Sequence, residues 1–473
     1  MASPNISFDT IPASIRKPGK YFEYNNKLAV RSLPTNLQRL LIVAQMLVAG
    51  TAVVNTVVQV YDSESAAAMF GRGSQAHRMV KAALRANRYV QLFVLPVADA
   101  GGGTTAAGTL TFTGNATAAG YVQLNVAGID VQVAVAVGDT AADVAANVNT
   151  ALLLQVDLPV SKAVAAGVVT LTALNKGLVA NTMRLSATSA AAGLNVAVAA
   201  FAGGLIDPTL SAALANAFTG GHEILVTPYT SGQTLTALRT HLAAVSGPME
   251  QRPAIGVYAS GGSLSAGTTQ AATLNFERFT AALLKNTVST AEEIAAAYAA
   301  VIAFEEDPAR PLNTLTLSGI APPAIADRLS RTEQETCLAN GVTPMEWGPG
   351  DVVQIVRAIT TYTLNPASVL DVSWLDLTTI RTMDYVRKAV RTRIELRFPR
   401  DKLSARTTAR VRSEILDVLY KLEELEIVEN VDLWKNDVVV ERDSQDNNRL
   451  NAKIPVDVVN GLHVFAGRLD LIL

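Results

Sequence analysis

Short, wholly apolar runs alternate with helix-forming segments between residues 38 and 362, and this alternation restricts the fold more than any other feature. The first two runs are Leu40–Ala44 and Val90–Val97. Runs of this length without polar alternation are typical of strands that are buried on both faces. Because parallel strands are joined by crossover helices, the alternation predicts a three-layer α/β domain with a mostly parallel sheet.

The chain between these runs predicts two helices, with Ser63 and Ser74 as N-caps and Gly71 at the end of the first. The alternation resumes after residue 204, where Asp207 followed by Pro208 predicts a helix start. The other predicted elements are Glu223–Thr227, Leu235–Val245, Ala254–Tyr258, Thr290–Glu306 and Ala324–Asn340. The predicted α/β domain is discontinuous and comprises residues 36–100 and 205–362.

Residues 101–204 interrupt this domain and differ from it in composition, with only three basic and four acidic residues. Gly101–Gly103 open the segment and Gly203–Gly204 close it, as hinges would. Inside it, Val131–Val137 and Val169–Ala173 alternate with a period of two, which predicts strands. We therefore predict a small β-rich domain that is inserted at an exposed loop and projects outward.

Residues 363–461 predict a charged α+β domain. From Asp376 to Leu473 the chain carries 17 basic and 17 acidic residues. The predicted helices are Thr378–Arg393 and Ala405–Leu425, and the predicted strands are Asp437–Glu441 and Lys453–Val459. Because acidic residues are interleaved with the arginines of the first helix, a protein surface is a better partner for it than nucleic acid.

Both ends of the chain predict extended arms. Residues 1–35 contain four prolines and few apolar residues, so this segment would gain little by packing on its own domain. Residues 462–473 finish in an apolar, strand-like segment that begins at Leu469, whereas chain ends are usually polar and frayed. We expect another molecule to cover both arms.

Composition excludes several classes of protein. The single cysteine, Cys337, rules out an internal disulfide framework and is predicted to pack in a core. The formal net charge of −2 gives no electrostatic reason to expect nucleic acid binding. The most apolar stretch, Leu40–Val60, is too interrupted by polar residues for a membrane span, and the first residues lack a secretory pattern. We therefore expect a soluble chain that stays in the cytoplasm.

Catalytic motifs are absent from the sequence. Neither a phosphate-binding loop nor the nucleophile elbow of a serine hydrolase occurs. The histidines are predicted to be surface or structural residues, with His77 on a polar helix face; the others are His222, His241 and His463. The pair Glu292–Glu293 is predicted to lie on a solvated helix face. The sequence thus predicts no catalytic, metal or cofactor site and favours a protein that acts through interactions.

Several segments carry a resemblance to a known family through their order and spacing. In the first hundred residues they are Ser7–Pro12, Arg16–Glu23, Leu33–Thr35, Arg39–Gln45 and Leu92–Pro96, and in the inserted segment Val137–Val144, Leu158–Val160 and Leu171–Gly177. Over essentially its full length the chain resembles the tail sheath proteins of Mu-like contractile phages. Lys20, where the family usually has an apolar residue, and Val43–Ala44, in place of a more usual glycine, depart from the family pattern.

The resemblance implies a structural subunit, not an enzyme. Its α/β core would be subtilisin-like without a working triad, residues 101–204 would form the outer domain, and residues 363–461 would face an inner tube. The arms, residues 1–35 and 462–473, would add strands to neighbouring subunits. The expected inter-subunit residues are Tyr21, Phe22, Leu469, Leu471 and Leu473, and the expected tube-facing residues are Arg387, Arg391 and Arg393.

The resemblance also implies partners and a mechanism. The subunits would form a helical homo-oligomer of stacked hexameric rings around a tail tube protein, with further contacts to baseplate and tail terminator proteins. They would touch no nucleic acid directly and would not insert stably into a membrane. Assembled in the host cytoplasm, the sheath would become part of the virion tail and contract to drive the tube through the host envelope. No cofactor would be needed, because the energy is stored during assembly.

Three alternatives stay open at the level of sequence. The same sheath would serve a phage-derived bacteriocin or secretion machine, which the sequence does not separate from a virus. An α/β hydrolase would need a serine, a histidine and an acid within hydrogen-bond reach. A tail tube or surface-layer subunit is disfavoured, because tube subunits are usually much shorter and lack an α/β core.

Overall fold

The structure is a computed structural model that describes residues 14–22 and 33–472. These residues belong to two compact units. The larger unit comprises residues 36–385, 426–430 and 456–472, and the smaller unit comprises residues 386–425 and 431–455 together with the described residues before Asn36.

The larger unit contains three consecutive groups of helices and strands. The first group is β1 (Arg39–Gln45), β2 (Val58–Val60), α1 (Ser63–Phe70), α2 (Gln75–Ala86) and β3 (Gln91–Val97). The second is β4 (Thr105–Gly114), β5 (Gly120–Val126), β6 (Ile129–Val135), α3 (Ala141–Leu153), β7 (Val160–Ala165), β8 (Val168–Lys176), β9 (Leu185–Ser189) and β10 (Leu194–Ala202). The third is α4 (Ser211–Ala217), β11 (Ile224–Val226), α5 (Gly232–Ser246), β12 (Ile255–Ser260), α6 (Leu264–Leu274), β13 (Phe279–Leu283), α7 (Ala291–Phe304), α8 (Arg331–Ala339), β14 (Thr343–Gly348) and β15 (Val352–Ile355).

The first and third groups form one eight-stranded sheet with the order β15-β14-β13-β12-β11-β1-β3-β2. Its central strands are all parallel, and only the edge strands β2 and β15 pair antiparallel with their neighbours. At the centre, Leu41 of β1 lies opposite Leu225 of β11 and Phe93 of β3. The predicted mostly parallel sheet is therefore confirmed.

Strand β1 is buried on both faces, which explains its continuous apolar sequence. Leu40 and Ile42 belong to a cluster with residues of α1, α2 and α7, including Met79. Leu41 belongs to a second cluster with residues of α4 and α5, including Leu238. The sheet thus lies between two helical layers, and each fully buried Leu or Ile stabilises it by about 1.5–3 kcal/mol.

The second group has a hydrophobic core of its own. It forms a four-stranded sheet, β10-β4-β8-β7, and a three-stranded sheet, β6-β5-β9, both antiparallel. Leu110, Val122 and Leu171 of these sheets share one buried cluster with Val148 of α3. Helix α3 begins at a capping box in which Thr140 Oγ1 accepts the Asp143 N–H.

The two ends of the inserted segment are tied to each other and are not loose hinges. The Thr104 N–H donates to the Leu205 carbonyl at 3.1 Å, and the Leu205 N–H donates to the Thr104 carbonyl at 3.3 Å. The Asn181 side chain also donates to the Gly204 carbonyl and accepts the Gly204 N–H, both at 2.9 Å. The flanking glycines therefore permit close backbone approach, and hydrogen bonds fix the segment.

The chain after residue 376 contributes to both units. Its elements are α9 (Leu377–Arg397), α10 (Ala405–Glu424), β16 (Val428–Glu429), α11 (Val431–Trp434), β17 (Val439–Arg442), β18 (Leu450–Lys453) and β19 (Asp457–Val458). Both predicted helices are confirmed, and the first extends to Arg397. In the smaller unit, the Arg412 guanidinium donates to the Val438 carbonyl at 2.8 Å and so fixes the β17–β18 hairpin on α10.

Three predicted helix starts are wrong. The first is wrong by one residue, because Asp62 and not Ser63 caps α1, where its Oδ1 accepts the Ser65 N–H at 2.8 Å. The helix predicted at Ala324–Asn340 begins only at Arg331, because Ser330 and Glu333 form a capping box at that point. Asp207 caps no helix, since α4 begins at Ser211 and the Asp207 Oδ1 accepts the Leu178 N–H at 2.8 Å. Asp207 thus binds the inserted segment instead of capping a helix.

Two groups that were predicted at the surface are buried. The first is His77, which was expected on a polar helix face and is fully buried. Cys337, by contrast, was expected in a core, and its burial confirms that prediction. Glu292, at the start of α7, is only 2% exposed, and its Oε1 accepts a hydrogen bond from Arg78 Nη1 at 2.8 Å. Burial raises the pKa of Glu292, and the charge of Arg78 opposes that rise. This ion pair connects α2 to α7 inside the domain.

Replacement of Arg78 by Ala is expected to lower the free energy of unfolding by about 3–5 kcal/mol, because it leaves the Glu292 carboxylate buried without its cation. Urea-induced unfolding of the monomer measures this loss. The matched control is Arg72→Ala. Its partner Glu64 is largely exposed and its other partner, Asp157, still pairs with Lys81, so its effect should be much smaller. Equal losses in the two variants would show that the buried pair does not stabilise the domain.

Candidate assembly site

The C-terminal tail of the larger unit exposes a run of apolar side chains. Residues 459–472 form neither helix nor strand. Leu469 and Leu471, two of the predicted inter-subunit residues, are 100% and 85% exposed, and the third, Leu473, lies outside the described residues. Large exposed apolar side chains in the same tail are Leu462, Val464, Phe465 and Ile472. Contiguous apolar surface of this kind marks an interaction site.

The described part of the N-terminal arm is also exposed. Phe22 is 87% exposed, and Tyr21 is 42% exposed with its hydroxyl donating to the Lys17 carbonyl at 3.1 Å. Residues 14–22 contain no helix or strand. The rest of the predicted arm, residues 1–13 and most of 23–35, lies outside the described residues.

The smaller unit offers an open sheet edge. Within the described part of the chain, β17 and β18 pair only with each other. Val440 is buried whereas Val439 is 42% exposed, so the hairpin alternates between a packed and an open face. The outer edge of a two-stranded sheet presents unpaired N–H and C=O groups, which an extended segment can use to add a strand.

The predicted tube-facing arginines of α9 lie in different environments. Arg391 is exposed and pairs with Glu395, one turn along, at 2.7 Å. Arg387 is partly buried. Arg393 is buried, and its Nη1 donates to Glu414 Oε2 at 3.1 Å and to Asp417 of α10. The three residues therefore do not form one exposed cationic patch, and Arg393 connects α9 to α10 within the smaller unit.

One serine and one histidine approach each other, but not in the arrangement of a nucleophile and its base. Ser63 Oγ lies 3.4 Å from His77 Nε2, while the Gly73 N–H donates to His77 Nδ1 at 3.1 Å. Because Nδ1 accepts, the ring proton is assigned to Nε2, which faces the serine. A ring in this tautomer cannot remove the Ser63 proton.

His222 and His241 are structural residues, as predicted. Their rings lie edge-on to Phe93 and Phe218, with centroids 5.0 and 6.0 Å apart. Burial lowers the pKa of each histidine to about 4, so both are neutral at pH 7. Their packing explains why these residues occur without catalytic partners.

A cavity of about 700 Å³ lies at the carboxyl ends of β11 and β12, where α/β proteins commonly bind ligands. Its described lining is rich in serine and threonine, with Arg239 as its charged residue and with no histidine, aspartate or glutamate. The described residues contain no group of three histidine, cysteine or acidic side chains that could hold a metal ion. No helix in residues 33–472 is long and apolar enough to cross a membrane.

Two domain families match the chain: the phage tail sheath protein central domain over residues 203–361 and the phage tail sheath C-terminal domain over residues 370–472. The Mu-like prophage FluMu tail sheath protein of Haemophilus influenzae is 33% identical over 487 aligned positions. That alignment covers 99% of this chain and 100% of the relative.

Solved structures of sheath proteins share the fold. Those from Desulfitobacterium hafniense and Listeria innocua both give a TM-score of 0.53, at 14% and 13% identity, over 94% and 92% of this chain and 97% and 94% of theirs. The contracted PVC sheath of an extracellular contractile injection system gives 0.51 at 10% identity, over 98% of this chain and 99% of that one. At these identities the likeness shows the fold alone. The relative over the full length and the two matching domains establish that this chain belongs to the phage tail sheath protein family.

Proposed function

We propose that this tail sheath protein polymerises helically around an inner tube and that the polymer contracts to drive the tube through a host envelope. The exposed apolar tail, residues 462–472, is the observation that carries the proposal. Its large apolar side chains lack cover within the described chain, so the subunit buries them only when another subunit is present. The tail is thus suited to an obligate polymer.

The two arms link subunits in this proposal by adding strands to neighbouring sheets. Leu469 and Leu471 are two residues apart, so they share one face when the tail is extended. The open edge of the β17–β18 hairpin is a suitable acceptor for such a strand. Each apolar side chain that becomes buried contributes about 1.5–3 kcal/mol, which the cost of ordering the tail partly offsets. Repetition along the polymer therefore supplies most of the strength.

Contraction would move subunits as rigid bodies while the arms stay linked. Two features support this: the sheet is buried on both faces, and the ends of the inserted segment are hydrogen-bonded. Deformation of either would lose packing contacts or hydrogen bonds. Free energy stored in subunit contacts during assembly would drive the change without a nucleotide.

The domain division is part of the same proposal: residues 36–100 and 205–362 form the core, residues 101–204 project outward, and residues 363–461 face the tube. The separate hydrophobic cluster and the hydrogen-bonded ends of the inserted segment support an inserted domain. A mostly parallel sheet between two helical layers supports the subtilisin-like description of the core.

The proposed partners are further copies in stacked hexameric rings, a tail tube protein, and baseplate and tail terminator proteins, without direct contact to nucleic acid. The polymer would assemble in the host cytoplasm and join the virion tail. The relative that matches over the full length is a prophage tail protein. This relationship favours a phage tail over a bacteriocin or secretion machine.

A chain that ends at Val459 is expected to stay monomeric under conditions in which the full chain forms regular tubes or rings, because it lacks the linking tail. Negative-stain microscopy of both proteins, with and without the partner tube, measures this. A matched full-length variant, Leu469→Ser with Leu471→Ser, keeps the backbone donors and should polymerise poorly. Tubes from the shortened chain would disprove linkage by the C-terminal tail.

Charge reversal is expected to have different effects at Arg391 and at Arg393, two of the proposed tube-facing residues. Arg391→Glu is expected to weaken co-sedimentation with the tube while self-assembly and stability stay unchanged, since Arg391 is exposed. Arg393→Glu is expected to cost at least about 2 kcal/mol of stability, because it removes charged hydrogen bonds between α9 and α10. Undiminished tube binding by Arg391→Glu would exclude that residue from the tube contact.

A further inference from the structure

His463 interrupts the exposed tail, because its side chain packs against other residues of the larger unit whereas the side chains on either side are exposed. The His463 side chain is 14% exposed, whereas its neighbours Leu462 and Val464 are 79% and 78% exposed. Before it, the Val459 N–H reaches the Ile427 carbonyl at 3.4 Å, next to the short β16–β19 pair. The fixed part of the chain therefore extends to His463, beyond the predicted arm boundary at residue 462.

Two residues of the larger unit contact the His463 ring, and a third fixes one of them. Asn313 Nδ2 lies 3.0 Å from His463 Nδ1, and Asp376 Oδ1 lies 3.6 Å from His463 Nε2. Arg357 in turn donates two hydrogen bonds to the Asp376 carboxylate, both at 2.8 Å, and so fixes it. Since the Asn313 amide nitrogen donates, Nδ1 is assigned as the acceptor and Nε2 carries the proton toward Asp376.

Gly461 brings the backbone close to the same surface. A Cβ atom added at Gly461 would lie 2.4 Å from Pro311 Cγ, so a larger residue cannot follow this path without a shift of the chain. The close backbone contact at Gly461 and the ring contacts at His463, two residues apart, fix the direction in which the tail leaves the unit.

We infer that Gly461 and His463 form an anchor for the C-terminal arm, and that the segment exchanged between subunits is residues 464–473. The inference rests on the proposed exchange of arms. His463 acts as a positioning residue, because it fixes the point from which the arm reaches its neighbour. Ten extended residues span at most about 33–36 Å. Any rearrangement of the polymer that keeps the arms linked must therefore leave each acceptor edge within that distance of His463.

The anchor also has a physical consequence for linkage between subunits. A shorter free segment loses less entropy when its end is captured, and it raises the effective concentration of the arm at the neighbouring edge. Loss of the His463 contacts would lengthen the free segment back toward Val459 and broaden the directions that the arm can take. Neighbouring subunits would then be linked in less uniform positions.

Hydrogen exchange of the unassembled full-length protein tests the anchor directly. His463→Ala is expected to speed exchange of the Val459 amide, which donates to the Ile427 carbonyl, roughly fivefold, as the loss of one hydrogen bond would, with the rest of the chain unchanged. His463→Asn, whose side-chain oxygen can accept from Asn313, should restore part of the protection. Gly461→Ala, which forces the backbone away from Pro311, should also speed exchange. Native exchange rates in both His463→Ala and Gly461→Ala would overturn the anchor.

Microscopy of assembled protein separates failure of the anchor from failure of arm exchange. A chain that ends at His463 keeps the anchor but lacks the exchanged segment, so it should not polymerise. Native polymers from that chain would overturn exchange of the C-terminal arm. If it fails to polymerise and His463→Ala forms tubes with the native helical order, arm exchange stands and the positioning role of His463 is overturned. We expect His463→Ala tubes with a wider spread of helical repeat.

Discussion

Burial of both faces of β1 is the constraint on which the larger unit depends. Leu40 and Leu41 point to opposite clusters, so helices from distant parts of the chain must cover the strand on each side. The inserted segment has a separate buried cluster and hydrogen-bonded ends. The larger unit thus buries both faces of its sheet and the core of its inserted segment within itself.

The C-terminal tail contrasts with the core, and this contrast supports assembly. Leu40 has no exposed surface, whereas Leu469 is fully exposed. The core shows that this chain can bury apolar side chains efficiently. The exposure of six large apolar side chains in one tail therefore needs another explanation. In the proposed arm exchange, the surface that covers them lies on another subunit.

The sequence predicted what depends on local pattern and missed what depends on distant contacts. Apolar runs and caps identified β1, β12 and both C-terminal helices, because their periodicity and flanking residues are local. The burial of Glu292 was not predictable, since Arg78 lies more than two hundred positions away and no local pattern joins them. Arg393 looked like Arg391 in the sequence, and only the position of α10 shows that it is already paired. The anchor at His463 depends likewise on Asn313 and Asp376.

The same contrast determines where free energy can be stored for contraction. A core with close packing and buried ion pairs changes shape only at a cost comparable to its whole stability, so the subunit itself cannot supply the energy reversibly. Contacts between subunits can differ between two arrangements without unfolding either one. In the proposed exchange, arms that are fixed at one end and extended at the other would keep the subunits connected during such a change. Under the proposed function, the division between a packed core and an exposed tail is therefore the property that would allow the subunits to build a polymer that shortens.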